Sequence, residues 1–343
     1  MPNDVLVSTD GALGRITLDR PKAINALTLN MVRAMDSALS VFESDPLVEV
    51  VLLDGAGERG LCAGGDIRAL YNSAKAGDDV AARFWGEEYH LNLRISRYAK
   101  PYVAIMDGLV MGGGVGVSAH GSHRVVTERT SIAMPEVGIG FLPDVGGTYL
   151  LSHAPGELGT HAALTTTRLG AADAIAAGLA DVYVPSEKIP ALIEALRTGD
   201  VDTAISSVAE EPPAGTLTQA AEWIDQAYAA DTVEQILQNL HASGVPEAAT
   251  AAKEIESKSP TSLKLTLRAL RTSKDLDLAG ALNLEYRLAG YVLSQPDFVE
   301  GVRAAVIDKD RNPQWNPGSL AEVSAESVEQ AFHPNAAFDL CLS

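Results

Sequence analysis

Residues 106–147 read MDGLVMGGGVGVSAHGSHRVVTERTSIAMPEVGIGFLPDVGG, and the order of features within them decides how the rest of the chain is read. Gly112, Gly113, Gly114 and Gly116 follow the β-rich PYVAIMDGLV and open a short apolar run. That pattern predicts a helix N-terminus with backbone N–H groups left bare of side chains, and such groups bind an oxygen that carries or develops negative charge. Glu136 follows the β-rich SIAM and Pro135, and Asp144 follows Pro143 just ahead of Gly146-Gly147. Both acids fall on loops punctuated by proline and glycine, where rigid turns fix a carboxyl for acid/base chemistry. The competing reading of each acid alone is that one caps a helix and the other is a solvated loop acid. Taken with the glycines, the chemical reading is favoured.

Outward from this stretch, residues 4–9 (DVLVST) and 14–19 (GRITLD), separated by Asp10-Gly11, predict a β-hairpin. Residues 26–45 predict a helix with Met31, Met35, Leu39 and Phe42 on one face, ending before Pro46. VEVVLLDGAG (48–57) reads as a buried strand, a helix runs from about Val80 to Tyr98, and PYVAIMDG is the next strand. The alternation continues to about Pro185, with ALIEALRTG as a following helix, and argues for an α/β domain whose strands are covered by helices. From about Val201 the β-rich runs fade and TLTQAAEWIDQAYAA, TVEQILQNLHAS, SLKLTLRALR and LAGALNLEYRLAGYVLSQ are all helical patterns. The expected division is an α/β core over 1–200, a helical subdomain over 201–325 and a loosely packed tail over 326–343.

At 343 residues the chain can bury a full core, and its 46% hydrophobic and 21% charged content are those of a soluble globular protein. A net charge of −19, from 45 acids against 26 bases, argues against a nucleic-acid or anionic-membrane partner. Cys62 and Cys341 are too few and too far apart for a disulfide framework, and no Cys/His cluster has zinc-like spacing. The N-terminus has neither a signal-peptide pattern nor the Arg/Ser-rich character of a transit peptide, and no apolar run reaches membrane-spanning length. These features lead to the expectation of a soluble cytoplasmic protein.

Gly55-Ala56-Gly57-Glu58-Arg59-Gly60 is a literal G-x-G-x-x-G after a strand. The dinucleotide motif requires a helix to open inside the glycine pattern, but Leu61-Cys62-Ala63-Gly64-Gly65 prolongs the loop, so the nicotinamide reading is set aside. Cys62–Asp66 reads instead as a glycine loop bringing a backbone N–H to a ligand, with an ordinary loop capped by Asp66 as the alternative. Paired with Gly112–Gly114, it supplies the second donor of an oxyanion hole.

Four stretches in order, Asp19-Arg20-Pro21-Lys22-Ala23-Ile24-Asn25-Ala26-Leu27, Cys62–Asp66, Met111–Gly116 and Met134-Pro135-Glu136, resemble the successive signatures of the crotonase (enoyl-CoA hydratase/isomerase) superfamily. The resemblance implies an α/β spiral of ββα units with a C-terminal helical subdomain, binding an acyl-CoA whose thioester oxygen is held by the N–H groups of Gly65 and Gly113. Hydratases of the superfamily carry a glutamate just after the triple glycine and a second in the later Pro-Glu motif; here the first position is Gly116. Pro143-Asp144-Val145-Gly146-Gly147, Glu87-Glu88-Tyr89 and the downstream SPTSLKLTLRAL, LEYRL and DFVEGVR resemble the thioester-hydrolysing branch that acts on 3-hydroxyisobutyryl-CoA in valine breakdown. In that branch the residues matching Glu88, Gly113, Glu136 and Asp144 line the substrate site.

On this reading Glu136 is the nucleophile or the base that activates water, and Asp144 orients water or the substrate hydroxyl. Glu88 either contacts substrate or, with Glu87, belongs to a solvated helix face. Lys22, Ala23, Ala63 and Lys264 are candidate CoA contacts. Lys264 lies in the basic run Lys258–Lys274, whose charges either meet CoA phosphates or pair with acids elsewhere. His120 and His123 read as structural, and Trp85 and Trp223 as packing residues. No metal or redox cofactor is expected, coenzyme A being part of the substrate, and a homo-oligomer is left open. The rival functions are an enoyl-CoA hydratase or isomerase and a non-catalytic acyl-CoA-binding protein.

Overall fold

The computed structural model describes residues 4–343, which form two compact units. The first unit is built from the chain up to Gly65, from Glu87–Ala133 and from Arg168–Thr216; the second from Asp66–Gly86, Met134–Thr167 and Leu217–Ser343.

Among the described residues the strands all lie in the first unit: β1 (Val5–Asp10), β2 (Leu13–Leu18), β3 (Val50–Gly55), β4 (Tyr102–Met106), β5 (Leu109–Met111), β6 (His123–Val126), β7 (Ser131–Ala133) and β8 (Val182–Tyr183). Six make one sheet in the order β1-β2-β3-β4-β6-β8, while β5 and β7 form a small parallel pair. The hairpin β1–β2 is antiparallel and every other ladder is parallel. A parallel strand covered on both faces must be apolar throughout. That accounts for VVLL in β3, buried along its whole length. On one face Leu13, Val50, Leu52, Val103, Ile105 and Val125 pack with Leu192 and Leu196 of the helix Ile189–Leu196.

The helix Leu29–Ser44 buries Met31, Met35, Leu39 and Phe42 as their spacing predicts, with the Thr28 hydroxyl capping Met31 N–H at 3.3 Å. It starts later than the apolar pattern, because Leu27 N–H is taken by the Gly64 carbonyl at 2.8 Å. That bond ties the first motif to the glycine loop.

The second unit is helical. The predicted segments appear as Leu217–Tyr228, Val233–Ala242, Pro260–Ser273 and Leu278–Leu293, joined by Pro246–Glu256, which the pattern reading missed. That helix buries mainly alanines, Ala248, Ala251 and Ala252 with Ile255, so its apolar signal is weak. The C-terminal residues 326–343 are mostly exposed but are anchored at several points. Ser324 caps the helix Ala325–Phe332, Phe338 packs its ring 5.3 Å from that of Tyr286, and Leu342 exchanges two hydrogen bonds with Asn283. Among the described residues no helix is long and apolar enough to cross a membrane.

Candidate active site

In the first unit the backbone donors come together as the sequence suggests. β5 ends at Met111, Gly112 turns the chain at φ 46° and ψ −118°, a conformation open to glycine, and the helix Gly113–Ser118 begins. A Cβ on Gly113 would stand 2.5 Å from Glu88 Oε1, 3.2 Å from Leu27 Cδ1 and 3.3 Å from the Gly65 nitrogen. Gly113, Gly65 and Glu88 are therefore immediate neighbours, and only the missing side chain makes room. Among the described residues neither the Gly65 nor the Gly113 N–H donates to another group of the chain. Two adjacent, unused N–H groups can share one oxygen.

The loop before them is fixed by Asn25, whose Nδ2 donates to the carbonyls of Ala56, Gly60 and Leu61 at 3.0–3.2 Å. No helix opens within Gly55–Gly60; the next starts at Ile67. The dinucleotide reading therefore has no structural basis, nor does Asp66 cap that helix with its side chain. Cys62 is wholly buried and its thiol is pushed up to about 12, chiefly by desolvation, which disqualifies it as a nucleophile at neutral pH. Lys22 and Ala23 lie exposed in the turn Pro21–Ala23, and Ala63 is tied beside it by its N–H to the Ile24 carbonyl at 2.9 Å.

In the second unit Pro135 leads into the 3₁₀ turn Glu136–Ile139, and Pro143 precedes Asp144, from which Val145 and Gly146, both at positive φ, lead to the helix Gly147–Ser152. Glu136 is 6% exposed and Asp144 5%, so neither is a solvated loop acid. Glu136 Oε2 has no hydrogen-bond partner among the described residues. Burial first, and the charge of Asp144 second, raise Glu136 well above the usual carboxylate range. Glu88, in the first unit, is 1% exposed, which removes the solvated-face reading, while Glu87 forms a two-pronged pair with Arg33 at 2.6 Å.

A third carboxylate, Glu285, acts on this pair and was given no role by the sequence reading. The available signal was a glutamate on the apolar stripe of Leu278–Leu293, aligned with Ala281, Leu288 and Val292. Four of the five cations of the basic run are paired: Lys258 with Glu254, Lys264 with Glu234, Arg268 with Glu329 and Arg271 with Glu157. Trp85 packs against Phe141 at 4.9 Å, and Trp223 lies edge-on to His161. Burial lowers His161 to about 4, so it stays neutral at physiological pH. Among the described residues no cluster of His, Cys, Asp or Glu is arranged to hold a metal.

Known proteins resemble this chain over nearly its whole length. Residues 13–332 match the family described as enoyl-CoA hydratase/isomerase. Curated relatives named 3-hydroxyisobutyryl-CoA hydrolase, mitochondrial, include one from Danio rerio, 43% identical over 96% of this chain and 89% of that protein. Another is from Homo sapiens, 42% identical over 98% and 90%. A solved structure described as a carnitinyl-CoA dehydratase from Mycobacterium thermoresistibile is 52% identical, with a TM-score of 0.95 over 97% of both chains. One described as an enoyl-CoA hydratase from Rhodobacter sphaeroides is 43% identical, with a TM-score of 0.94 over 99% of this chain and 100% of that one. The crotonase-like fold expected from the four motifs is thereby established. The cytoplasmic expectation is corrected, since these hydrolase relatives are named as mitochondrial proteins.

Proposed function

This chain belongs to the enoyl-CoA hydratase/isomerase family, and from that membership we propose that it hydrolyses 3-hydroxyisobutyryl-CoA to 3-hydroxyisobutyrate and free coenzyme A, a step of valine breakdown. The thioester oxygen accepts from Gly65 and Gly113 N–H, which polarises the carbonyl and takes up the charge of the tetrahedral intermediate. Glu136 supplies the attack. As nucleophile its carboxylate forms a mixed anhydride and expels the CoA thiolate, and water then cleaves the anhydride; as base it takes a proton from the water that attacks the carbonyl. Asp144 orients that water or the substrate hydroxyl, and Glu88 lines the acyl end beside Gly113. Lys22, Ala23 and Ala63 take the CoA portion. Lys264, already paired with Glu234, is the weakest of the CoA candidates. None of these steps calls on a metal or redox group.

The observation that carries the assignment is Gly116. It is buried in Gly113–Ser118, a helix with no acid in it, where a hydratase of the family carries one of its two glutamates. The second reading, addition of water to an enoyl double bond or the reverse loss of water from a hydroxyacyl group, is favoured by the descriptions of the two solved relatives and would need Asp144 to replace the missing acid. Thiol release from 3-hydroxyisobutyryl-CoA, measured beside loss of enoyl absorbance from crotonyl-CoA, separates the two. Thiol release without hydration is the expected result; hydration without thiol release overturns the proposal.

A further inference from the structure

Glu285 is wholly buried on the helix Leu278–Leu293, and the reaction as written makes no use of it. Its Oε2 accepts from Gly146 N–H at 2.7 Å, and its Oε1 accepts from Thr148 N–H at 2.9 Å and from the Thr148 hydroxyl at 2.5 Å. The Thr148 hydroxyl also lies 2.9 Å from Ser273 Oγ. All three donors belong to the segment that leaves Asp144. There Gly147 N–H returns to the Asp144 carbonyl at 2.6 Å, and Val145 sits at φ 53°. A β-branched residue at positive φ is strained and persists only where its surroundings over-determine it.

Burying a carboxylate without a cation is costly, and neither Lys nor Arg is among the hydrogen-bonding partners of Glu285 described here. The return for that cost is geometric: three donors of one turn converge on one rigid helix. We propose that Glu285 is a positioning residue for Asp144, locking the turn 144–148 so that the Asp144 carboxyl keeps a fixed direction. Asp144 and Glu136 are the titratable groups whose charges bear on this cluster. Burial, and to a smaller extent the charge of Asp144, push Glu285 up to about 8, while its three donors pull it down. The inference rests on the reading of Asp144 as the group that orients water or substrate in thioester hydrolysis.

The test is a double-mutant cycle on thiol release from 3-hydroxyisobutyryl-CoA, using wild type, Glu285→Gln, Asp144→Asn and the double variant, each with a thermal melt. Gln presents an NH₂ to donors that need an acceptor, so Glu285→Gln lowers kcat by about 10- to 100-fold with KM changed by less than about threefold. In the Asp144→Asn background the same substitution costs less than about threefold, because the group it positions is already disabled. Equal factors in both backgrounds, or a lower melting temperature with kcat preserved, overturn the proposal. If Glu285→Gln does not fold, Thr148→Val, which removes only the hydroxyl donor, lowers kcat severalfold in wild type and not in Asp144→Asn; equal losses again overturn it. A folded wild type that releases no thiol overturns the hydrolase reading and this inference with it, whereas wild-type turnover with equal factors overturns the inference alone.

Discussion

Glu136 must lose its proton to act as nucleophile or base, and its surroundings oppose that loss. kcat/KM therefore rises with pH through the titration of Glu136, above the ordinary carboxylate range. Asp144→Asn removes the nearby negative charge, the second cause of the shift, so the rising limb moves to lower pH; a limb that stays in place shows that the two carboxyls are uncoupled. Glu136→Gln keeps size and removes the ionisable group. Turnover should drop by about 10²- to 10⁴-fold while product CoA still binds, measured by thiol release and calorimetry. Its stability follows from the same shift. A carboxyl raised on folding contributes stability that is complete below its unfolded pKa and is lost as pH rises toward its folded pKa. Glu136→Gln should therefore melt at or above the wild-type temperature at about pH 8, with the difference shrinking toward about pH 4. At this scale the sequence revealed the acids through their proline and glycine neighbours. It did not reveal Glu285, because a helical pattern does not say which turn lies above a buried glutamate.

The helix Pro296–Val302 packs on the turn that carries Glu136 by backbone contact on two sides. A Cβ on Gly301 would stand 2.4 Å from the Ile139 carbonyl carbon, and one on Gly140 would stand 2.2 Å from the Asp297 carbonyl oxygen. Asp297 strengthens the joint: it accepts the Ser259 hydroxyl at 2.5 Å and Asn316 N–H at 2.8 Å, while Ser259 N–H reaches the Val137 carbonyl at 3.3 Å. Gly301→Ala should cost about 1–3 kcal/mol in stability by overpacking and lower kcat as the turn shifts, checked by denaturant unfolding and thiol-release kinetics. An unchanged kcat in a destabilised variant would confine the contact to a structural role. Helices of this unit were legible from their apolar spacing, and Ser259 caps the helix Pro260–Ser273, its hydroxyl accepting Ser262 N–H at 3.1 Å. Their mutual packing was not legible, because a glycine contact between backbones leaves no periodic trace.

A net charge of −19 surrounds a protein whose proposed substrate is itself a polyanion. Long-range repulsion should slow encounter at low salt, so kcat/KM for the acyl-CoA should rise as ionic strength increases from about 10 mM to about 150 mM and the Debye length shrinks from about 30 Å to about 8 Å. A fall over that range would mean that local cations such as Lys22 dominate. Fold class was visible in the alternation of strand and helix followed by helices alone. The assembly of each unit from three separate stretches of chain was not, since the contacts within a unit join residues far apart in sequence. The spread of the first unit along the chain has a consequence during synthesis. β3 ends at Gly55, but β8, which closes the same sheet, comes only at Val182–Tyr183. At about 5–20 residues per second, the apolar run VVLL waits on the order of ten seconds at the ribosome before its sheet can be completed, so the nascent chain is a natural client for a holding chaperone.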